Sequence, residues 1–86
     1  MPGDATIGWD AGNAVCIESH YVSKHHAVVR LTPQGFLLTD LGSSNGTFMN
    51  GQPVTTALLR NGDTVDFGRE RLTFAGGPPV RPPAAA

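Results

Sequence analysis

Residues that interrupt regular backbone structure recur at short intervals along this chain. They stand at Gly12-Asn13, Pro33-Gln34-Gly35, 42–46, Asn50-Gly51, Asn61-Gly62-Asp63 and Gly68. The stretches between them are long enough for β-strands and mostly too short for helices. A helical bundle is disfavoured on the same ground, because long helices exclude glycine and proline. With 86 residues, the chain has room for one small domain.

Alternation of apolar and polar residues places candidate strands between these interruptions. The candidates are residues 5–7, 15–17, 27–32, 36–41, 54–56, 64–67 and 71–74. The tripeptide at 33–35 predicts a hairpin loop of about three residues. In the last two strands, the alternation turns Val65, Phe67, Leu72 and Phe74 towards the core. Several short strands separated by turns are typical of a β-sandwich or a small barrel.

The end of the chain differs in composition from the rest. Residues 76–86, GGPPVRPPAAA, contain four of the seven prolines. Such a segment buries too little apolar surface to offset the entropy lost on ordering. We therefore predict one folded domain over residues 1–75, followed by a flexible Pro/Ala-rich tail or linker over residues 76–86.

Charge, hydropathy and cysteine content exclude several classes of protein. The net charge of −1 lacks the basic footprint of a nucleic-acid module. The longest strongly apolar run is Ala27-Val28-Val29, which is far too short for a membrane span. The single cysteine, Cys16, excludes an internal disulfide framework and favours a cytoplasmic setting.

Two patterns associated with catalysis or nucleotide binding lack the context they need. Residues 42–46 fit G-x-S-x-G, but no helix follows, and the last histidine, His26, precedes the serine. Gly46 and Gly51 have the spacing of a P-loop, but Gln52 stands where that loop needs its lysine. We therefore predict that the chain is not an enzyme.

The three histidines do not form a convincing metal site. His25 and His26 are adjacent, so on a strand they point to opposite faces, and no cysteine lies at ligand spacing from them or from His20. We expect one of the three to be a structural hydrogen-bonding residue. The sequence predicts neither a metal nor a cofactor.

Two loop segments carry groups suited to an anion. Residues 23–27, SKHHA, enter a predicted strand, and residues 40–47, DLGSSNGT, connect two others. Serine, asparagine and glycine are ordinary turn formers, so turn chemistry alone is one interpretation. Hydroxyls, an amide, backbone N–H groups and a lysine are also the donors that bind a phosphate.

The order of these motifs resembles that of a forkhead-associated (FHA) domain. The resemblance rests on Ile7-Gly8, VSKHHA at 22–27, DLGSSNGTFMNG at 40–51, NGDTV at 61–65 and Phe67-Gly68. It extends from residue 7 to about residue 75 and implies an all-β antiparallel sandwich. Members of this family bind phosphothreonine peptides through loops at one end of the sandwich.

The resemblance also implies a role for individual residues. The residues that it implies bind the phosphopeptide are Ser23, Lys24, Ser44, Asn45 and Thr47. Ser23 is expected to bond a phosphate oxygen, Lys24 to supply positive charge, and Ser44 to contact the phosphothreonine or its flanking backbone. Asn45 is expected to hold the peptide main chain. Structural support of the site is assigned to Gly8, His26, Gly46 and Asn50.

Two departures from the family pattern bear on function. Trp9 stands where the family usually has an arginine beside the phosphate, and only six residues precede Ile7, where one or two strands are usual. We therefore expect a sandwich short of its N-terminal strand or strands. With Trp9 in place of that arginine, a charged hydrogen bond to the phosphate of about 1.5–3 kcal/mol is lost. This loss lowers affinity for the phosphopeptide by about one to two decades.

These expectations leave two functions open. The first is a phosphothreonine-dependent adaptor whose partner is a protein phosphorylated by a Ser/Thr kinase, with no nucleic-acid or membrane partner. The second is an interaction or assembly module that uses the same fold without phosphate, and Trp9 is the residue that favours it.

Overall fold

The computed structural model describes residues 4–75, and within them it contains strands and turns but no helix. The strands are β1 (Asp4–Gly8), β2 (Val15–Cys16), β3 (Ala27–Thr32), β4 (Gly35–Asp40), β5 (Thr47–Met49), β6 (Gln52–Pro53), β7 (Thr56–Leu59), β8 (Thr64–Phe67) and β9 (Glu70–Thr73). The predicted all-β class is confirmed. The predicted tail at 76–86 lies outside the described residues, and the expected lack of N-terminal strands stays a prediction. The described part has no helix of the length and apolarity needed to span a membrane.

The strands form two sheets that enclose the core. One sheet has the order β2-β1-β3-β4-β7 and the other has the order β6-β5-β8-β9. Neighbours run antiparallel, except that β1 and β2 are parallel. Buried apolar side chains come from both sheets and from the segment before β3: Ile7, Val22, Ala27, Leu38, Leu59, Val65 and Phe67. Burial of each large side chain among them stabilises the fold by about 1.5–3 kcal/mol.

The strand predicted at 54–56 is displaced to β7, and β5 and β6 were not predicted. The N–H of Val54 donates to the carbonyl oxygen of Thr47 at 2.9 Å, so Val54 closes the β5–β6 hairpin instead of starting a strand. The next strand begins at Thr56, and its last residue, Leu59, is buried in the core. The sequence predicts a strand at 54–56 because all three residues are β-branched, and β-branching favours extended backbone wherever it occurs.

Two finer expectations also differ from the structure. Gly35 pairs with Thr32, so the loop between β3 and β4 contains two residues, not three. Leu72, predicted to face the core, is 41% exposed. It lies on β9, the edge strand of its sheet, and borders an open apolar cleft of about 150 Å³. An edge strand has a neighbour on one side only, which leaves its side chains less covered.

The register of the first sheet brings three loops together at one end of the sandwich. Ala27, the first residue of β3, pairs with Ile7 on one side and with Asp40 on the other. Ile7 lies next to the end of β1, and Asp40 is the last residue of β4. The segments that follow β1, precede β3 and follow β4 therefore leave the sheet side by side.

Candidate functional site

The segment before β3 and the segment after β4 meet through two serines. The backbone N–H of Ser44 donates to the Oγ of Ser23 at 3.0 Å. Because that oxygen accepts the N–H, the hydroxyl proton of Ser23 is available for another acceptor. This contact holds the Ser23 oxygen in place and leaves its hydroxyl proton free to be donated.

A cavity of about 290 Å³ opens where these loops meet. Its walls are formed by Trp9, His20, Tyr21, Val22, Ser23, Lys24, Ser44 and Asn45. The structure therefore brings together four of the residues expected to bind a ligand, namely Ser23, Lys24, Ser44 and Asn45. Within the described part of the chain, no carboxylate lines this cavity, so its chemistry suits an anion.

Among residues 4–75, Lys24 is the only lysine or arginine in the wall of this cavity. Its side chain is exposed, and among residues 4–75 it forms neither an ion pair nor a hydrogen bond. The ammonium group is therefore able to turn towards a ligand without first breaking a contact within the protein.

Asn45 is positioned by the neighbouring loop. Its Nδ2 donates to the carbonyl oxygen of Tyr21 at 2.9 Å. Its Oδ1 accepts no hydrogen bond from any residue in the described part of the chain. The side-chain oxygen of Asn45 is therefore available to the N–H of an extended peptide, while the amide nitrogen orients it.

The loop from β4 to β5 is organised by Asp40, which the sequence analysis did not single out. Its Oδ1 accepts the hydroxyls of Ser43 at 2.5 Å and Thr47 at 2.7 Å. Its Oδ2 accepts the N–H groups of Gly42 at 2.9 Å and Ser43 at 3.1 Å. An aspartate directly before a run of glycine and serine often folds back in this way, and that signal is visible in the sequence.

These contacts also set the ionisation of Asp40. Burial disfavours the charged carboxylate and by itself raises the pKa of Asp40. The hydrogen bonds from Ser43, Thr47 and the backbone of Gly42 stabilise the charge by more, so the pKa lies below its ordinary value of 3.8. Asp40 is therefore a carboxylate at neutral pH and holds the loop as a charged acceptor.

Thr47 and Gly46 support the loop from below the cavity. Thr47 is only 2% exposed, donates its hydroxyl to Asp40 and does not line the cavity. Its hydroxyl is thus engaged within the loop, and the expectation that Thr47 contacts the ligand stays a prediction. Gly46 has a φ of 88°, a left-handed conformation that glycine adopts without strain.

His26 joins the two loops from inside the protein. Its side chain is fully buried, with the Nδ1 accepting the N–H of Ser23 at 3.1 Å and the Nε2 lying 2.9 Å from the Gly46 carbonyl oxygen. A backbone N–H only donates and a carbonyl only accepts, so the proton sits on Nε2. The neutral Nε2–H tautomer is the form that satisfies both contacts.

Gly8 and Asn13 fasten the segment after β1 to the segment before β3. A Cβ on Gly8 would lie 2.0 Å from the carbonyl oxygen of Lys24, so only glycine fits. Asn13 is 7% exposed, and its Nδ2 donates to the carbonyl oxygens of Asp10 and Lys24. Its Oδ1 accepts the Nδ1–H of His25 at 3.0 Å. The sequence indicates only a turn at Asn13, because Lys24 and His25 lie 11 and 12 positions away.

Asn50 stands apart from the cavity. It has a φ of 50°, and its side chain bonds Asp63 at 3.1 Å and the N–H of Thr64 at 2.9 Å. Asn50 therefore links the turn between β5 and β6 to the start of β8 and does not line the cavity.

Trp9 forms a wall where the family resemblance implies an arginine. It is 47% exposed and lines both the cavity described above and a second cavity of about 550 Å³. The second cavity is bordered by Trp9, Glu18, Ser19 and His20. Trp9 thus contributes an aromatic surface to both cavities and a charge to neither.

Comparisons with known proteins agree with this fold. The family model for the FHA domain matches residues 5–68. The chain is 49% identical over 57 residues to the glycogen accumulation regulator GarA of Mycobacterium tuberculosis, covering 66% of this chain and 35% of that protein. The NMR-based structure of the FHA-2 domain from the M. tuberculosis ABC transporter Rv1747 is 43% identical, with a TM-score of 0.81 over 87% of this chain and 69% of that one.

A further solved structure comes from work on phosphothreonine-dependent FHA domain interactions. It is 31% identical, with a TM-score of 0.83, and covers 91% of this chain and 81% of that chain. The matched region spans 35% of the length of GarA, so the comparison with that protein concerns this domain alone. The family model, these identities and the shared sandwich lead to one conclusion: the chain belongs to the FHA domain family.

Proposed function

We propose that this FHA domain binds phosphothreonine-containing proteins and that binding requires the phosphate. The observation that carries the proposal is the cavity wall itself. Ser23 offers a hydroxyl proton, Lys24 an ammonium group and Ser44 a second hydroxyl. The described residues place no carboxylate in this wall and no ion-pair partner beside Lys24. Convergent donors and one positive charge suit a phosphate dianion.

The proposed ligand is an extended segment of a partner protein that a Ser/Thr kinase has phosphorylated. The free Oδ1 of Asn45 is suited to a main-chain N–H beside the phosphothreonine. The relatives support a binding role without catalysis, since GarA is a named regulator. We extend this to a non-catalytic adaptor acting in the cytoplasm.

A second candidate function is phosphate-independent binding of a protein. Trp9 favours it, because an aromatic wall replaces the arginine charge that the family usually provides. The two candidates differ in a measurable quantity, which is the ratio of affinities for phosphorylated and unphosphorylated forms of one peptide.

The decisive experiment is a calorimetric titration with a library of phosphothreonine peptides and their unphosphorylated counterparts. We expect the phosphorylated forms to bind at least about 100-fold more tightly, because two or more charged hydrogen bonds depend on the phosphate. Phosphoserine versions serve as controls for the threonine methyl group. Equal affinity for phosphorylated and unphosphorylated peptides would overturn the proposal in favour of the second candidate.

A further inference from the structure

The second cavity lies against the cavity assigned to the phosphate, and the two share Trp9 and His20 in their walls. A ligand held in the first cavity therefore passes close to the second. At about 550 Å³, the second cavity is large enough for a long side chain.

The two cavities have opposite electrostatic character. Lys24 borders the first cavity but not the second, whereas Glu18 borders the second but not the first. Glu18 is exposed, and within residues 4–75 its carboxylate forms no ion pair and no hydrogen bond. The hydroxyl of Ser19 is engaged with the N–H of Tyr21 at 3.1 Å. Among the described residues, the carboxylate of Glu18 is thus the charged group that a ligand meets in the second cavity.

Trp9 adds an aromatic face to the same cavity. An arginine or lysine side chain has an apolar stem that packs on such a face and a cationic head that pairs with a carboxylate. A purely apolar side chain would cover the Trp9 face but desolvate Glu18 without compensation. An acidic side chain would be repelled by Glu18.

We propose that the second cavity binds the arginine or lysine side chain of a basic residue that lies close in sequence to the phosphothreonine. This inference rests on the proposed function, and it names the class of phosphopeptide that the domain selects. Residues of an extended peptide are spaced about 3.3 Å apart, so a basic residue a few positions from the phosphothreonine reaches the neighbouring cavity.

The test uses the 86-residue chain and a set of phosphothreonine peptides with alanine at every flanking position. Arginine, alanine or glutamate is then placed at each flanking position in turn, and affinities are measured by fluorescence polarisation. We expect one position at which arginine binds about fivefold to tenfold more tightly than alanine, and glutamate more weakly than both. The preference for arginine should decrease as salt is added.

Charge reversal identifies the residue responsible. In Glu18→Lys, the preferred residue at that same position should change from arginine to glutamate, while affinity for the alanine-flanked phosphopeptide changes little. Glu70→Lys is the matched control, since Glu70 borders neither cavity, and it should keep the preference for arginine.

The outcomes separate this inference from the function on which it rests. If no phosphothreonine peptide binds more tightly than its unphosphorylated form, both fail. If phosphopeptides bind but arginine, alanine and glutamate are equivalent at every position, the basic-residue site alone is wrong. A preference for arginine that survives Glu18→Lys unchanged also overturns it.

Discussion

The buried ring of His26 reaches the carbonyl oxygen of Gly46 at 2.9 Å while accepting the N–H of Ser23 on its other nitrogen. One side chain thus ties together the two segments that carry the proposed ligand contacts. His26 does not touch the cavity itself. Its effect on binding is therefore exerted through the positions of Ser23 and of the loop after β4.

Replacing His26 with phenylalanine should weaken both stability and binding. Phenylalanine keeps an aromatic side chain, although a larger one, and the N–H of Ser23 loses its acceptor, which costs about 1–3 kcal/mol. Urea unfolding should show a lower free energy of unfolding, and phosphopeptide affinity measured where the variant is fully folded should also fall. His20→Phe is the control for stability, since His20 is exposed. Equal stability of His26→Phe and wild type would contradict the bracing role.

Asp40 should make the domain sensitive to acid. Its pKa in the folded chain lies below the ordinary value of 3.8, because the hydrogen bonds to its charge outweigh the opposing effect of burial. Its contribution to stability is thus fully present above that ordinary value and is lost as the pH falls through the folded pKa.

The comparison of wild type with Asp40→Asn isolates this contribution from the other carboxylates. At neutral pH, the variant should lose about 2 kcal/mol of unfolding free energy. The difference between the two proteins should shrink as the pH falls below 3.8. Urea unfolding across this pH range measures it, and a difference that stays constant or grows on acidification would refute the assignment.

Lys24→Met should weaken phosphopeptide binding without altering the fold. The methionine keeps much of the apolar stem and removes the one lysine or arginine charge that residues 4–75 place in the cavity wall. A charged contact of about 1.5 kcal/mol corresponds to an affinity loss of roughly tenfold. Arg60→Met removes an exposed charge that lies outside the cavity, and its affinity should match wild type. Equal losses for both variants would indicate a general charge effect.

Trp9→Arg should change both affinity and selectivity. An arginine at this position adds a second positive charge beside Lys24, and phosphopeptide affinity should rise by about one to two decades. The same change removes the aromatic wall and places a charge near Glu18, so preference for a basic flanking residue should disappear. Trp9→Leu is the neutral control, and it should show no gain in phosphopeptide affinity over wild type. Peptide titrations that show no gain for Trp9→Arg would mean that position 9 does not face the phosphate.

The sequence predicts much of this fold because its signals are local. Alternation and turn residues located β1, β3, β4 and β8 closely, and motif order indicated which loops carry Ser23, Lys24, Ser44 and Asn45. The short strand β6 was not predicted, because two residues, one of them Pro53, are too few to show an alternation. Leu72 was assigned to the core because alternation identifies the face of a strand but not whether a neighbour covers it.

The supporting contacts of the site were harder to predict, because they depend on where distant segments meet. Asn13 bonds the carbonyl oxygen of Lys24 across eleven positions in sequence, and composition alone gives no sign of it. Thr47 sits in the motif beside Asn45, yet its hydroxyl turns inward to Asp40. Whether a loop side chain faces a ligand or its own loop is decided by backbone conformation, which the residue types do not fix.

The pairing of Ala27 with both Ile7 and Asp40 has a consequence for how the cavity comes into being. Its walls come from segments separated by more than thirty positions, from Trp9 to Asn45, and they adjoin only when β1, β3 and β4 are in register. A partly folded chain that lacks any of these pairings has no ligand site. Ligand occupancy should therefore protect the backbone amides of all three strands from hydrogen exchange together, which makes the cavity a reporter of assembly of the first sheet.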